Sequence, residues 1–229
     1  MKKILTKSVK KSLLRDGYVE LAELKYVLSK FEIETMQNNS DKVFASNSEY
    51  NKVYNKQFNI DTQLRDELSD FCTEFFKIKH DINDIYTNIR VLKSFTNKES
   101  YRGHFDSHIF TLVTPICMPD SKSTESGQLI VFPKIRKEPT SELSNILGKL
   151  KYFSCRNEKG FKNLLKTKKF VEFDFKNLNP VLFLGRQSFH GNRSFKEKPD
   201  GIRISLLTHF FDPSPKYGIG NILRGLRNR

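Results

Sequence analysis

The chain of 229 residues has no Trp and only three Cys, namely Cys72, Cys117 and Cys155. They are odd in number and far apart, which excludes a zinc-type ligand spacing and an internal disulfide framework. A reducing compartment is the expectation from such sparse use. Long apolar runs are also missing. Without 18 consecutive apolar residues, no transmembrane helix is expected. The basic opening Met1-Lys2-Lys3-Ile4-Leu5 leads into Lys7, Lys10 and Lys11, which interrupt any apolar leader core, so a secretory signal is not expected and a cytoplasmic location is. Negative charge is the remaining shortage: 26 Asp and Glu stand against 40 Lys and Arg, for a formal charge of +14. That balance speaks to solubility and association, not to fold. It fits a Lys-rich solvated surface, or an acidic partner such as nucleic acid, an anionic lipid or polysaccharide, or a phosphorylated carrier. What the chain does have is Phe, with 20 copies, so the core is expected to be aromatic-rich.

Hydrophobic periodicity divides the chain in two. A basic helix is expected over residues 3–14 and a second over Leu21 to Phe31, where Leu21, Leu24, Val27 and Leu28 recur at helical spacing. Residues 35–59 read as a long polar loop carrying Tyr50, Tyr54 and Phe58. Thr62 to Phe76 reads as an amphipathic helix, with Leu64, Leu68, Phe71, Phe75 and Phe76 in one stripe. From Ile85 the pattern becomes that of strands. These are expected at Ile85 to Phe95, Ile109 to Met118, Gly127 to Pro133, Phe170 to Phe175, Val181 to Leu184 and Arg203 to Phe211. Arg90 and Lys93, on the first of them, read as solvent-facing. Residues 134–168 interrupt the strands with a Lys-rich stretch whose Ser141 to Tyr152 portion is helical. This insertion is a candidate substrate lid or a plain solvated excursion. Lys198-Pro199-Asp200-Gly201 signals a turn, expected to set His190 and Arg203 on neighbouring antiparallel strands. Arg224, Arg227 and Arg229 close a basic tail over 213–229.

Strands that follow one another without regular intervening helices disfavour a βαβ architecture and favour an antiparallel double-sheet roll. The expected fold is mainly β with flanking helices (α+β). One domain spans 1–229: an N-terminal helical part over 1–84, then a roll over 85–212.

The residues with metal chemistry lie at the strand ends. His104 and Asp106 are two apart, so on an extended segment both point to one face. His190, after the apolar strand Val181-Leu182-Phe183-Leu184 and Gly185, supplies a distant second imidazole. Two His and one carboxylate bind one face of an octahedral ion and suit non-haem Fe(II) with O2. His108, two past Asp106, competes with His190 as third ligand. However, three ligands in a row on one short strand converge poorly on adjacent metal positions. Arg203 and Ser205 share a strand face, and a guanidinium fork beside a hydroxyl suits a carboxylate.

Together, His104-x-Asp106, His190 and Arg203-x-Ser205 resemble the Fe(II)/2-oxoglutarate-dependent oxygenase superfamily. Leu13-Leu14-Arg15-Asp16-Gly17-Tyr18-Val19-Glu20-Leu21 resembles the helix-to-strand opening of its phytanoyl-CoA-hydroxylase-like members. Gly127-Gln128-Leu129-Ile130-Val131-Phe132-Pro133 resembles the strand that follows the His-x-Asp strand. The resemblance covers residues 10–212. The long spacing between Asp106 and His190 departs from the pattern and implies an insertion.

The resemblance implies a double-stranded β-helix (jelly-roll, cupin-like, as in prolyl hydroxylases) with N-terminal helices. It implies Fe(II) on His104, Asp106 and His190, and 2-oxoglutarate anchored by Arg203 and Ser205. O2 is the oxidant, and ascorbate is a candidate reductant. Thr111 and Gln128, polar positions in apolar strands, are candidates for further cosubstrate contacts. The implied reaction is hydroxylation coupled to release of succinate and CO2. Asp106 argues against halogenation, which in this superfamily needs the carboxylate position vacated. Arg102, Arg186 and Arg193 are candidate contacts for an anionic small-molecule or peptide substrate. Nucleic acid is not favoured as substrate. A cupin-like metalloprotein that does not use 2-oxoglutarate, and a basic nucleic-acid- or anion-binding protein, are the alternatives.

Overall fold

The computed structural model describes residues 3–25, 44–46, 62–93, 100–118, 126–195 and 202–213. Most of the expected loop over 35–59, the turn at Lys198 to Gly201 and nearly all of the basic tail lie outside the described residues; within that loop, Phe44–Ser46 is a strand, since it pairs with Asn88 to Arg90.

Two sheets form the body. The larger has six strands: β1 (Tyr18–Glu20), β2 (Phe44–Ser46), β3 (Ile85–Lys93), β4 (Phe110–Cys117), β7 (Val181–Leu184) and β9 (Ile202–Phe210), in the order β1-β7-β4-β9-β3-β2. The smaller has three: β5 (Leu129–Phe132), β6 (Val171–Phe173) and β8 (Phe189–Asn192), in the order β6-β5-β8. All pairings between these strands are antiparallel. The two sheets face each other as a double-stranded β-helix, the roll expected from the run of strands. β8 and β9 belong to different sheets, so His190 and Arg203 are not on neighbouring strands as expected from the turn signal. The two strands are linked through Gly127, whose carbonyl accepts from both Arg203 and Asn192 of β8.

Alternation explains both cores. On β7, Val181 and Phe183 point between the sheets and meet Val113, Leu129, Val131, Phe173 and Phe175. Leu182 and Leu184 point the other way, with Phe110, Leu112 and Phe210, under two N-terminal helices. The first, α1 (Lys7–Asp16), is capped by Thr6 and ended by Gly17, whose φ of 82° puts it in the left-handed region that favours glycine. It begins and ends about two to four residues later than its expected bounds, which marks the usual softness of helix ends. The second, α2 (62–71), carries Leu64, Leu68 and Phe71 into the same core and ends in a π-helical turn, Cys72–Phe76. The apolar stripe at Leu21 and Leu24 is held by a short 3-10 turn, Ala22–Leu24, in place of the start of a long helix.

The excursion between β5 and β6 holds α3 (Glu142–Lys151) and α4 (Glu158–Thr167). It is not solvated throughout. Phe161 and Leu164 of α4, with Tyr152, cover the outer face of the small sheet against Ile130, Phe132 and Phe189. Among the described residues no helix is long and apolar enough to cross a membrane.

Candidate metal centre

His104 is not on a regular strand. It forms a single antiparallel bridge with His190 on the free edge of β8. The His104 amide donates to the His190 carbonyl at 2.9 Å, and the His190 amide donates to the His104 carbonyl at 3.0 Å. Residues directly opposite in this way send their side chains to the same face, and the two imidazole centroids lie 4.3 Å apart. Asp106 sits in the link to β4, where its amide donates to the Gly185 carbonyl at 3.2 Å. Its Oδ1 is 3.7 Å from His104 Nε2 and its Oδ2 is 3.5 Å from His190 Nε2. One donor atom from each residue lies within 4.8 Å of the other two, so the three could hold one ion.

Backbone carbonyls orient both imidazoles. His104 Nδ1 lies 3.1 Å from the Arg102 carbonyl and His190 Nδ1 lies 3.2 Å from that of Ser188. A carbonyl can only accept, so each Nδ1 carries a proton, and in the neutral tautomer that leaves Nε2, turned toward Asp106, as the free donor atom. This tautomer is the one a metal-ligating His needs. Burial, then the neighbouring His190, pushes His104 below the ordinary imidazole range, toward the neutral form, although 39% of its side chain remains exposed. For Asp106, burial works to raise the carboxyl. The imidazoles of His190, His209 and His104 and the Thr111 hydroxyl outweigh it and hold the group well below the usual carboxylate range. Neutral imidazoles and an ionised carboxylate are the states that bind a cation.

His209, which the sequence pattern did not single out, is a further neighbour, with 12% of its side chain exposed. Thr111 Oγ1 donates to Asp106 Oδ2 at 2.5 Å and lies 3.2 Å from His209 Nδ1. His209 and Thr111 are cross-strand partners on β9 and β4. The same-face spacing of Arg203, Ser205 and His209 on one strand was the available signal. His108, the competing ligand by sequence, lies against the His209 ring at 5.2 Å between centroids.

Arg203 and Ser205 are 3% and 2% exposed and face the small sheet. Arg203 Nη1 donates to the Gly127 carbonyl, and the guanidinium lies over the Phe175 ring, 5.6 Å from its centroid. Arg203 Nε and Ser205 Oγ are buried without a hydrogen-bond partner. Burial, then the nearby charge of Arg90, pushes Arg203 down to about 9. A guanidinium keeps its proton in proteins, so the shift expresses a buried cation that lacks a counter-anion. Arg90, expected in solvent, instead reaches across to Asn192 Oδ1 on β8; on β3 it is the partner of Ser205. Asn192 in turn donates to the Gly127 carbonyl at 3.0 Å. Two orphaned polar atoms beside a buried cation fit the far carboxylate of a dicarboxylate.

The other candidates are placed differently. Thr111 serves Asp106. Gln128 Oε1 accepts from the Ser126 amide at 3.1 Å. Arg102 is exposed and contributes its carbonyl to His104. Arg186 is buried in an ion pair with Glu138 at 3.2 Å, and Arg193 makes a two-pronged pair with Glu172 at 2.8 and 2.7 Å. Each of these two arginines already has a carboxylate partner, so neither is placed as an open anion contact.

No protein-family model matches the chain, and no curated protein matches its sequence. Solved structures are similar to it. A Pseudomonas putida prolyl-4-hydroxylase superposes with a TM-score of 0.52 at 12% identity, over 89% of this chain and 92% of that one. The non-haem alpha-ketoglutarate-dependent epimerase SnoN of nogalamycin biosynthesis gives 0.57 at 11% identity, over 93% and 87%. A Trichoplax adhaerens prolyl hydroxylase, in complex with a peptide fragment of the hypoxia inducible factor oxygen degradation domain, gives 0.52 at 12%, over 89% and 87%. Identities this low carry the fold and not the activity. The chain therefore has the double-stranded β-helix fold of the iron- and 2-oxoglutarate-dependent oxygenases, with a His-Asp-His cluster able to hold a metal ion.

Proposed function

We propose that the protein is an Fe(II)- and 2-oxoglutarate-dependent oxygenase that hydroxylates its substrate with release of succinate and CO2. The observation that carries this reading is the meeting of two sites in one roll. His104, Asp106 and His190 bring three donors to one point, and the buried Arg203 and Ser205 offer unpartnered polar atoms to an anion. A cupin-like metal site that does not use 2-oxoglutarate leaves the second feature without a purpose.

Fe(II) held by these ligands, with 2-oxoglutarate and O2, supplies the oxidising chemistry. The chain's residues supply position and charge. His104, Asp106 and His190 are the residues that would hold the ion, a three-donor set that suits Fe(II) and O2 chemistry. Arg203 and Ser205 would hold the far carboxylate of the cosubstrate, and Arg90 adds positive potential beside them. Thr111 and His209 hold Asp106 in its ionised form and orientation. The substrate is a small molecule or a peptide; a peptide fits the precedent of the Trichoplax enzyme, whose complex contains one. A cytoplasmic location and ascorbate as reductant complete the proposal.

Anaerobic absorption spectroscopy tests it. A charge-transfer band should appear when Fe(II) and 2-oxoglutarate are both present, and should be lost in His104→Ala and Arg203→Ala. Metal binding without a band on adding 2-oxoglutarate would shift the reading to the cupin-like alternative. Binding of neither would leave the basic charge as the guide to function.

A further inference from the structure

We infer that the helical excursion between β5 and β6 is a docking surface for an anionic lipid bilayer. Leu143, Leu147 and Leu150 of α3 are 66%, 57% and 58% exposed, and Phe153 in the following turn is 61% exposed. The three leucines are spaced i, i+4 and i+7, so they form one stripe. Of the eight exposed large hydrophobic side chains among the described residues, these four and Phe170 fall within 143–170. Scattered exposed apolar residues are ordinary, but a concentrated patch marks a surface that meets something apolar.

The charge of the same excursion says what that is. Residues 134–169 contain eleven Lys and Arg and only three Glu, a net +8 of the chain's +14 in 36 residues. Glu138 is buried against Arg186, and Glu158 pairs with Lys162. Lys151, Arg156, Lys159, Lys166, Lys168 and Lys169 are exposed. Lys151 follows Leu150 directly, and Arg156 lies over the Phe153 ring, 5.6 Å from its centroid. Apolar side chains for the acyl boundary, with lysines beside them for anionic headgroups, are the two components of interfacial binding.

The shape favours lipid over other acidic partners. The leucines stand on one exposed face of α3. A nucleic acid offers phosphates for the lysines but no apolar medium for aliphatic side chains. A bilayer accepts both and requires no complementary groove. α4 presses the excursion onto the outer face of the small sheet through Phe161, while the His190 ring on β8 of that sheet turns to the inner face, against Phe183. The surface is therefore separate from the candidate metal centre, and the inference does not depend on the oxygenase reading.

Flotation of the full-length protein with phosphatidylcholine vesicles, and with mixed phosphatidylcholine–phosphatidylserine vesicles, is the test. Binding is expected to the mixed vesicles only and should weaken with added salt. The double variant Leu147→Ser/Leu150→Ser should lower it by about tenfold or more, with circular dichroism and Tm unchanged because both side chains are exposed. Lys166→Glu/Lys169→Glu should also lower it. Absence of binding to mixed vesicles overturns the inference. So does binding that the leucine variant leaves intact, which would assign it to charge elsewhere. Tight, salt-sensitive binding to duplex DNA or RNA without vesicle binding would make this a nucleic-acid surface instead.

Discussion

Asp106 is held by two hydrogen bonds, one from its amide to the Gly185 carbonyl and one from the Thr111 hydroxyl to its carboxylate. Gly185 passes so close that an added Cβ would meet Thr111 Oγ1 at 2.6 Å, the His108 carbonyl oxygen at 2.9 Å and Asp106 Cβ at 3.1 Å. The carbonyl belongs to the backbone and cannot rotate away. Gly185→Ala is thus expected to displace the Asp106 link and cut Fe(II) affinity by about 10–100-fold, as loss of a ligand's supporting contact does. Titration with Fe(II), alongside a Tm showing that the fold survives, would check it. His209 acts through Thr111. Its removal in His209→Ala leaves the Thr111 hydroxyl free to rotate off the carboxylate. The expected result is about a tenfold loss of metal affinity, with 2-oxoglutarate affinity at saturating metal little changed. An equal loss of both would instead mark His209 as a cosubstrate contact.

At the level of elements, α4 shows how an amphipathic segment becomes part of the body. Phe161 packs on Tyr101, Phe132 and Phe189, with ring centroids 5.9, 5.5 and 5.9 Å away. Its ring also lies against Gly103 and Gly191, which flank His104 and His190 in sequence. Phe161→Ala should cost about 3–5 kcal/mol in urea unfolding and also loosen the bridge that sets the two imidazoles together. A variant that unfolds as wild type does would show that α4 is not packed there. β9 is the element that joins the site's parts: Arg203, Ser205 and His209 stand on one face of it, and β3 and β4 flank it on both sides. A strand paired along both edges does not slip, and a slip of one residue would turn all three away from the interior.

For the whole molecule, the largely buried His209, with a smaller share from the part-exposed His104, sets a pH dependence. Burial pushes His104 and His209 below the usual imidazole range, while in the unfolded chain they titrate near about 6.5. Between the depressed folded values and about 6.5 the unfolded chain binds more protons, so stability rises with pH across that window and is lost on acidification. The Tm of metal-free protein should fall as pH drops from about 7 to about 5. The decline should be shallower in His209→Ala. A Tm flat over that range would mean that the imidazoles are freely hydrated.

Much of this was written in local pattern. The strands from Ile85 onward, the stripe on 62–71, and the pairs His104-x-Asp106 and Arg203-x-Ser205 follow from alternation and helical spacing, because burial of one face leaves its period in the residues themselves. The sequence by itself determined the strand-rich roll, the basic charge and the residue types able to bind a metal. The tertiary structure alone decided which sheet each strand joins, and hence that His190 and Arg203 stand on separate sheets and not along one hairpin. It also brought His209 to Asp106, turned Arg90 inward, and paired Arg186 and Arg193 with Glu138 and Glu172. These contacts join residues far apart in the chain, and no local period records which distant side chain will stand opposite.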